Sequence, residues 1–175
     1  MSVSVQSVLI SLATSNLVLW PRNNDASKVI AYVRERLGRD LPPDLEAFYR
    51  AGIRYVGDFP AIAPVWNDHV GWRERDVDVT ALLPAGAVPL FLDGCGSLFG
   101  LDLTGADLGP AVYFFDREDG FERPAYAAGS SLGAFLLLLS QHDQALQEKR
   151  PAGWELAIDP NLIHCTRAPP LWLAD

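Results

Sequence analysis

The residues of this chain that could perform covalent chemistry surround a Gly-x-Ser-x-Gly pattern at residues 129–133. In α/β-hydrolases this pattern places a nucleophilic serine on a sharp turn between a strand and a helix. Ser131 would be the nucleophile, and Asp159 and His164 follow it in the Ser–Asp–His order of that class. The chain before the pattern lacks the alternating strands and helices of a hydrolase sheet, and a serine at a helix start is ordinarily an N-cap. The sequence therefore favours a cap, with a small serine hydrolase using Ser131 as an alternative.

Metal and cofactor sites are not indicated by the remaining reactive residues. The histidines and cysteines are His69, Cys95, His142, His164 and Cys165. Only the last two are close in sequence, and adjacent residues rarely bind one zinc ion. The glycines at positions 94, 96 and 100 miss the spacing of a dinucleotide-binding loop by one position. Cys95 lies in a tight turn, where we expect it to pack as a small apolar side chain. We therefore predict neither a metal nor a cofactor, and no enzymatic activity.

Acidic residues are concentrated in the stretch 93–122. It contains seven acids and one base, Arg117, so its net charge is −6 within a chain of net charge −8. Turns are often acidic only because they are solvated. The alternative interpretation is an acidic face that binds a basic partner, since complementary charge attracts and orients such a partner.

Length and composition are typical of a single folded domain covering residues 1–175. The chain is 49% hydrophobic and 21% charged. Its pI near 4.8 argues against nucleic-acid binding, which needs basic residues at the phosphates. No segment approaches the roughly 20 apolar residues of a membrane helix, and the apolar stretch near the N-terminus is short for a signal sequence. Two cysteines fit a reducing compartment. We expect a cytoplasmic protein that binds neither a membrane nor nucleic acid.

Three helices are predicted from apolar spacing and from their start and stop signals. The first would begin after an N-cap at Ser27 or Asp25 and stop at Gly38, with four apolar residues on one stripe. The second would begin at Pro42-Pro43, because proline is tolerated in the first helical turn, and end at Gly52. The third would begin at Ser130 or Ser131 and stay buried until Gln141.

A sheet is predicted between the second and third helices. Its strands would be residues 88–92, 98–103, 111–115 and 125–128, joined by turns rich in glycine. Weaker strands are expected within 53–59 and 62–66, and residues 67–80 read as a long connection. The predicted fold class is α+β, with a central antiparallel or mixed sheet packed against helices.

Three short motifs occur in order along this chain. Residues 41–49, LPPDLEAFY, form a step between two predicted helices. Residues 88–103 contain VPLF, then DGCG, then LDL, in the predicted hairpin. Residues 112–116, VYFFD, and 131–136, SLGAFL, belong to the following strand and the closing helix. Together these motifs resemble the SUKH superfamily of bacterial immunity proteins and cell-wall regulators, although the chain has only Ala51-Gly52 where the family often has Asn-Gly-Gly.

The resemblance implies a SUKH-like core at 27–140, with an N-terminal extension at 1–26 and a C-terminal tail at 151–175. It also implies a task without chemistry, which is to bind a cognate protein toxin, often a nuclease, and block it in the producing cell. A regulatory or scaffold module of the same fold is the alternative.

The predicted partner-binding surface combines the acids of the sheet turns with the 67–79 connection. Trp72 would be its anchor, because buried aromatic side chains carry much of the binding energy of an interface, or it would pin the connection to the core. The predicted binding residues are Asp68, Trp72, Glu74, Asp76, Asp93, Asp116, Glu118, Asp119 and Glu122.

Overall fold

A computed structural model describes residues 4–13, 26–53, 55–57, 59–62, 81–107 and 109–173. Its helices are α1 (Val5–Ala13), α2 (Ala26–Leu37), α3 (Pro43–Ala51) and α4 (Leu132–Gln147). Its strands are β1 (Tyr55–Val56), β2 (Phe59–Pro60), β3 (Ala87–Leu92), β4 (Leu98–Asp102), β5 (Val112–Phe115) and β6 (Tyr126–Gly129). Three short 3₁₀ helices follow at Trp154–Ala157, Leu162–His164 and Leu171–Leu173. None of the helices in this part of the chain is both long and apolar enough to cross a membrane.

The sheet confirms the predicted α+β class. Strands β3, β4, β5 and β6 are neighbours in chain order and pair antiparallel throughout. In the central pair, the first residue of β4, Leu98, lies opposite the last residue of β5, Phe115. The β3–β4 register shifts between Pro89 and Phe91, which is typical of a bulge beside a proline that cannot donate to the ladder. The single weak strand expected at 53–59 is instead two strands of two residues each, β1 and β2, which pair antiparallel. Most of the strand expected at 62–66 lies outside the described residues.

The helix ends follow the signals in the sequence. Pro43 begins α3, and Gly52 ends it in the left-handed conformation, with φ of 64° and its N–H donating to the Tyr49 carbonyl. Helix α4 begins after Ser131, as predicted. Its residues are buried up to Leu139, apart from half-buried Leu137, in agreement with the expectation of burial until Gln141. The helix continues to Gln147, and its last turns are polar outside but bury Ala145.

Side chains pack on both faces of the sheet. One face, with Phe91, Phe99 and Val112, forms a core with all four helices, including α1 from the predicted N-terminal extension. The other face, with Tyr113 and Phe115, packs against the C-terminal segment 151–173 and the stretch before β3. The sheet is therefore the middle layer, and the C-terminal segment covers the face that the helices leave open.

Candidate functional site

The two acidic turns lie side by side at one end of the sheet. The turn 93–97 joins β3 to β4, and the connection 116–125 joins β5 to β6. Because Leu98 pairs with Phe115, the end of the first turn lies beside the start of the second. The Ser97 hydroxyl donates to Asp116 Oδ1 at 3.4 Å and accepts from the Arg117 N–H at 3.2 Å. These bonds hold the two turns against each other. We call residues 93–97 and 116–123 the acidic end of the sheet.

Two of the five predicted acids in the acidic end build the turns themselves. Asp93 Oδ1 accepts from the N–H groups of Cys95 at 2.8 Å and Ser97 at 2.7 Å. Asp116 Oδ1 accepts from the N–H of Glu118 at 2.9 Å. Such bonds are the usual reason for aspartate in a tight turn. Both side chains are half-buried. The burial of Tyr126 and the negative charges of Asp93 and Asp116 raise the pKa of the Tyr126 hydroxyl.

The carboxylates of the other three acids at this end are exposed and can contact a partner. Glu118, Asp119 and Glu122 are exposed, and within the part of the chain described their side chains make no hydrogen bond or ion pair. Arg117 is exposed and lies over the turn, since a Cβ at Gly96 would be 3.3 Å from its Nη1. With Arg123, the acidic end contains five carboxylates and two guanidinium groups, which leaves a net charge of −3.

The remaining acids of the stretch 93–122 lie at the opposite end of the sheet and anchor the C-terminal segment. Asp102 is 1% exposed and accepts from Arg167 Nη1 at 2.7 Å. Asp107 accepts from the Thr166 N–H and hydroxyl, both at 2.8 Å, and from the Tyr113 hydroxyl. The concentration of charge in the sequence is thus divided between two ends with different roles. The predicted binding residues Asp68, Trp72, Glu74 and Asp76 lie outside the described residues.

The predicted alternative triad shares a cavity but is not connected as a triad. Ser131, Asp159 and His164 all line an open cavity of about 480 Å³. The Ser131 hydroxyl accepts from the Ala134 N–H at 3.2 Å, which makes it the N-cap of α4. Buried Asp159 accepts from the N–H and the hydroxyl of Ser130, both at 2.6 Å. No hydrogen bond joins the His164 side chain to Ser131 or Asp159 among the residues described, so nothing here activates Ser131 as a nucleophile.

Cys95 corrects one expectation from the sequence. It is exposed at the tip of the β3–β4 turn, and the prediction that it packs as a small apolar side chain is wrong. Glycines flank it on both sides and contribute no side chain that could cover the thiol. Among the described residues, no group of three or more His, Cys, Asp or Glu side chains is placed to hold a metal ion.

The cavity is a feature that the sequence analysis missed. One of its rim residues is Asp44, in the first turn of α3, which is half-buried and has no hydrogen-bond or ion-pair partner within the described ranges. Burial raises the pKa of the Asp44 carboxyl. In the sequence this residue looks like any acid in a first helical turn, where the helix dipole favours it. Only the three-dimensional arrangement distinguishes it.

Comparison with known proteins adds no further information on function. No family model, no curated protein and no solved structure matches this chain. The resemblance to the SUKH superfamily therefore stays a prediction that rests on the three motifs quoted above.

Proposed function

We propose that this chain is a SUKH-type immunity protein that binds a cognate bacterial toxin and neutralises it by covering a basic surface, with no catalysis of its own. The observation that carries this proposal is the acidic end of the sheet. Three exposed carboxylates, on Glu118, Asp119 and Glu122, stand there without partners among the described residues. A toxin that acts on nucleic acid is the favoured partner, because such an enzyme needs basic residues to bind phosphate.

The rigidity of the acidic end supports a binding role. The hydrogen bonds of Asp93, Ser97 and Asp116 fix both turns, so the exposed carboxylates are presented from a preformed frame. A preformed surface loses less conformational entropy on binding than a mobile one. Complementary charge of this kind raises association rates by about 10–1,000-fold over an uncharged pair.

The positions of the three motifs also support the SUKH-type proposal. Residues 41–49 form the step from α2 to α3, residues 88–103 form the β3–β4 hairpin, and residues 112–136 run from β5 into the start of α4. These are the kinds of element that the family pattern assigns to them. Two cysteines without a disulfide fit a reducing compartment, and we place the protein in the cytoplasm.

Two other functions are testable alternatives. A regulatory or scaffold module would use the same acidic end to bind a partner that is not a toxin. A serine hydrolase is favoured by one observation, which is that Ser131, Asp159 and His164 line the same cavity. It is opposed by the hydrogen bonds, since Asp159 is bonded to Ser130 and the Ser131 hydroxyl caps α4.

The test of the proposal is co-expression with the product of the adjacent reading frame. We expect that product to arrest growth alone, to co-purify with this chain, and to lose its toxicity in the complex. A neighbour that is harmless, or toxic but not bound, would contradict the immunity function. A harmless neighbour that still binds would favour the scaffold alternative.

The contact surface is tested by matched charge reversals. Glu118→Lys with Asp119→Lys should slow association, with the largest effect at low salt, because steering is screened by ions. Glu35→Lys with Asp40→Lys is the control, since both residues are exposed on or just after α2 and carry the same charge. Association rates are measured at two salt concentrations. Equal effects of the two double variants would show that the acidic end is not the contact surface.

A further inference from the structure

A cavity lies at the end of the sheet opposite the acidic end. It is formed by the start of α3, the β4–β5 connection, the start of α4 and the C-terminal segment. Its volume of about 480 Å³ lies within the range of about 300–1,000 Å³ that is typical of small-molecule sites. The acidic turns take no part in its walls, so a ligand here would be independent of a partner at the acidic end.

The walls of the cavity combine apolar surface with negative charge. Pro42, Leu101, Leu132, Ile158 and Pro160 supply apolar contacts. The lining contains three aspartates and one histidine, His164, and no lysine or arginine is among the described residues that line it. A cavity with walls of this kind attracts a cation and repels an anion.

The three aspartates differ in whether their oxygens are available to a ligand. Asp107 accepts hydrogen bonds from Thr166 and Tyr113, and Asp159 accepts two from Ser130. All of these donors are uncharged groups, so they bond the carboxylates without neutralising them. Asp44 has no bonding partner within the described part of the chain, although it is half-buried at the rim.

A half-buried carboxylate without a hydrogen-bond donor would gain from a bound cation, because burial has removed part of its hydration. The raised pKa of Asp44, caused by burial, is consistent with this loss. A protonated amine would restore the lost interactions through a charge-assisted hydrogen bond. The body of the same molecule would cover the apolar walls.

We propose that this cavity binds a small organic cation, with its protonated amine on the Asp44 carboxylate and its apolar body against Pro42, Leu132 and Ile158. The site goes beyond the proposed immunity function and does not depend on it, because it uses a different end of the sheet. It also needs no chemistry from Ser131, whose hydroxyl remains the cap of α4.

The test compares an amine with its uncharged analogue on the full chain. Phenethylamine and 2-phenylethanol are titrated into ¹⁵N-labelled protein and followed by NMR. We expect the amine to bind about tenfold more tightly, because the charge-assisted hydrogen bond that distinguishes it from the alcohol has about that net value, and to shift amides at the starts of α3 and α4. Asp44→Asn should remove about that tenfold preference and leave the alcohol unchanged. Asp119→Asn, at the acidic end, is the matched control and should change neither affinity.

A second variant tests the cavity itself. Asn161 is exposed on the cavity lining, so Asn161→Trp should fold and should weaken the amine and the alcohol alike by filling the space. Equal binding of amine and alcohol, amine binding that survives Asp44→Asn, or no binding of the amine at millimolar concentration would each overturn the proposal.

Discussion

Arg167 joins the C-terminal segment to the sheet through a buried ion pair, and its removal should destabilise the whole protein. Its Nη1 donates to Asp102 at 2.7 Å, and its Nη2 donates to the Ala85 carbonyl at 2.7 Å. The Asp102 side chain is 1% exposed and that of Arg167 is 19% exposed. Arg167→Met keeps most of the length of the side chain but leaves Asp102 as an unpaired buried charge.

The expected cost follows from the burial of Asp102. Removing one partner of a buried ion pair costs about 3–5 kcal/mol, because the remaining charge has lost its hydration and has no replacement. Two hydrogen bonds from Thr104 to Asp102 remain in the variant, and Arg167 is partly exposed in the native protein. We therefore expect a cost near the lower limit, about 3 kcal/mol. That is a large part of the roughly 5–15 kcal/mol by which a folded domain is stable.

The assay is urea unfolding of matched variants, followed by circular dichroism. Arg50→Met is the control, because the Arg50–Glu46 pair is at the surface, with the Arg50 side chain 60% exposed, and should contribute less than about 1 kcal/mol. The double variant Arg167→Met with Asp102→Asn should recover part of the loss, since it removes the unpaired charge. If Arg167→Met cost no more than Arg50→Met, the claim that this pair fastens the C-terminal segment would be wrong.

Three further predictions concern packing, capping and exposure. Gly100→Ala should cost about 1–3 kcal/mol in urea unfolding, because its methyl group would lie 2.4 Å from a leucine methyl. Gly94→Ala meets nothing within 4 Å and should change stability by less than about 0.5 kcal/mol. Ser131→Ala should lose the α4 cap at a cost of about 1 kcal/mol. A serine-directed probe should label neither the wild-type protein nor the Ser131→Ala variant. Burial and nearby carboxylates raise the pKa of the Cys165 thiol to about 12, so little of it is the reactive thiolate near neutral pH. A maleimide should therefore label the exposed Cys95 first, which mass spectrometry would detect.

The order and type of most elements could be predicted because their signals are local. Pro43 and Gly52 mark both ends of α3, since each restricts or frees the backbone at its own position. The apolar runs around Phe91 and Phe115 indicated buried strands, and both are fully buried. Local backbone chemistry and hydrophobic pattern were therefore enough to predict the α+β class and the antiparallel order.

The errors arose where the outcome depends on distant contacts. The sequence predicted where α4 stops being buried but not where it ends, and the helix continues to Gln147 with Ala145 buried on its inner side. The alternative triad grouped Asp159 with Ser131 and His164, whereas the Asp159 carboxylate accepts hydrogen bonds from Ser130, 29 residues earlier in the sequence. A sequence motif does not specify which of two adjacent serines faces a carboxylate, because that depends on how the C-terminal segment lies on the sheet.

Distant contacts also decide the roles of the acidic residues in the sheet turns, which is why the candidate site could be predicted only in part. Asp93, Asp116 and Asp102 are bonded inside the fold, so their presence is explained by structure alone. Exposed acids such as Glu118 and Asp119 form none of these bonds, and like charges held close together repel one another. The turns do not need these carboxylates, and the basic partner that we propose would give them a role that the fold does not.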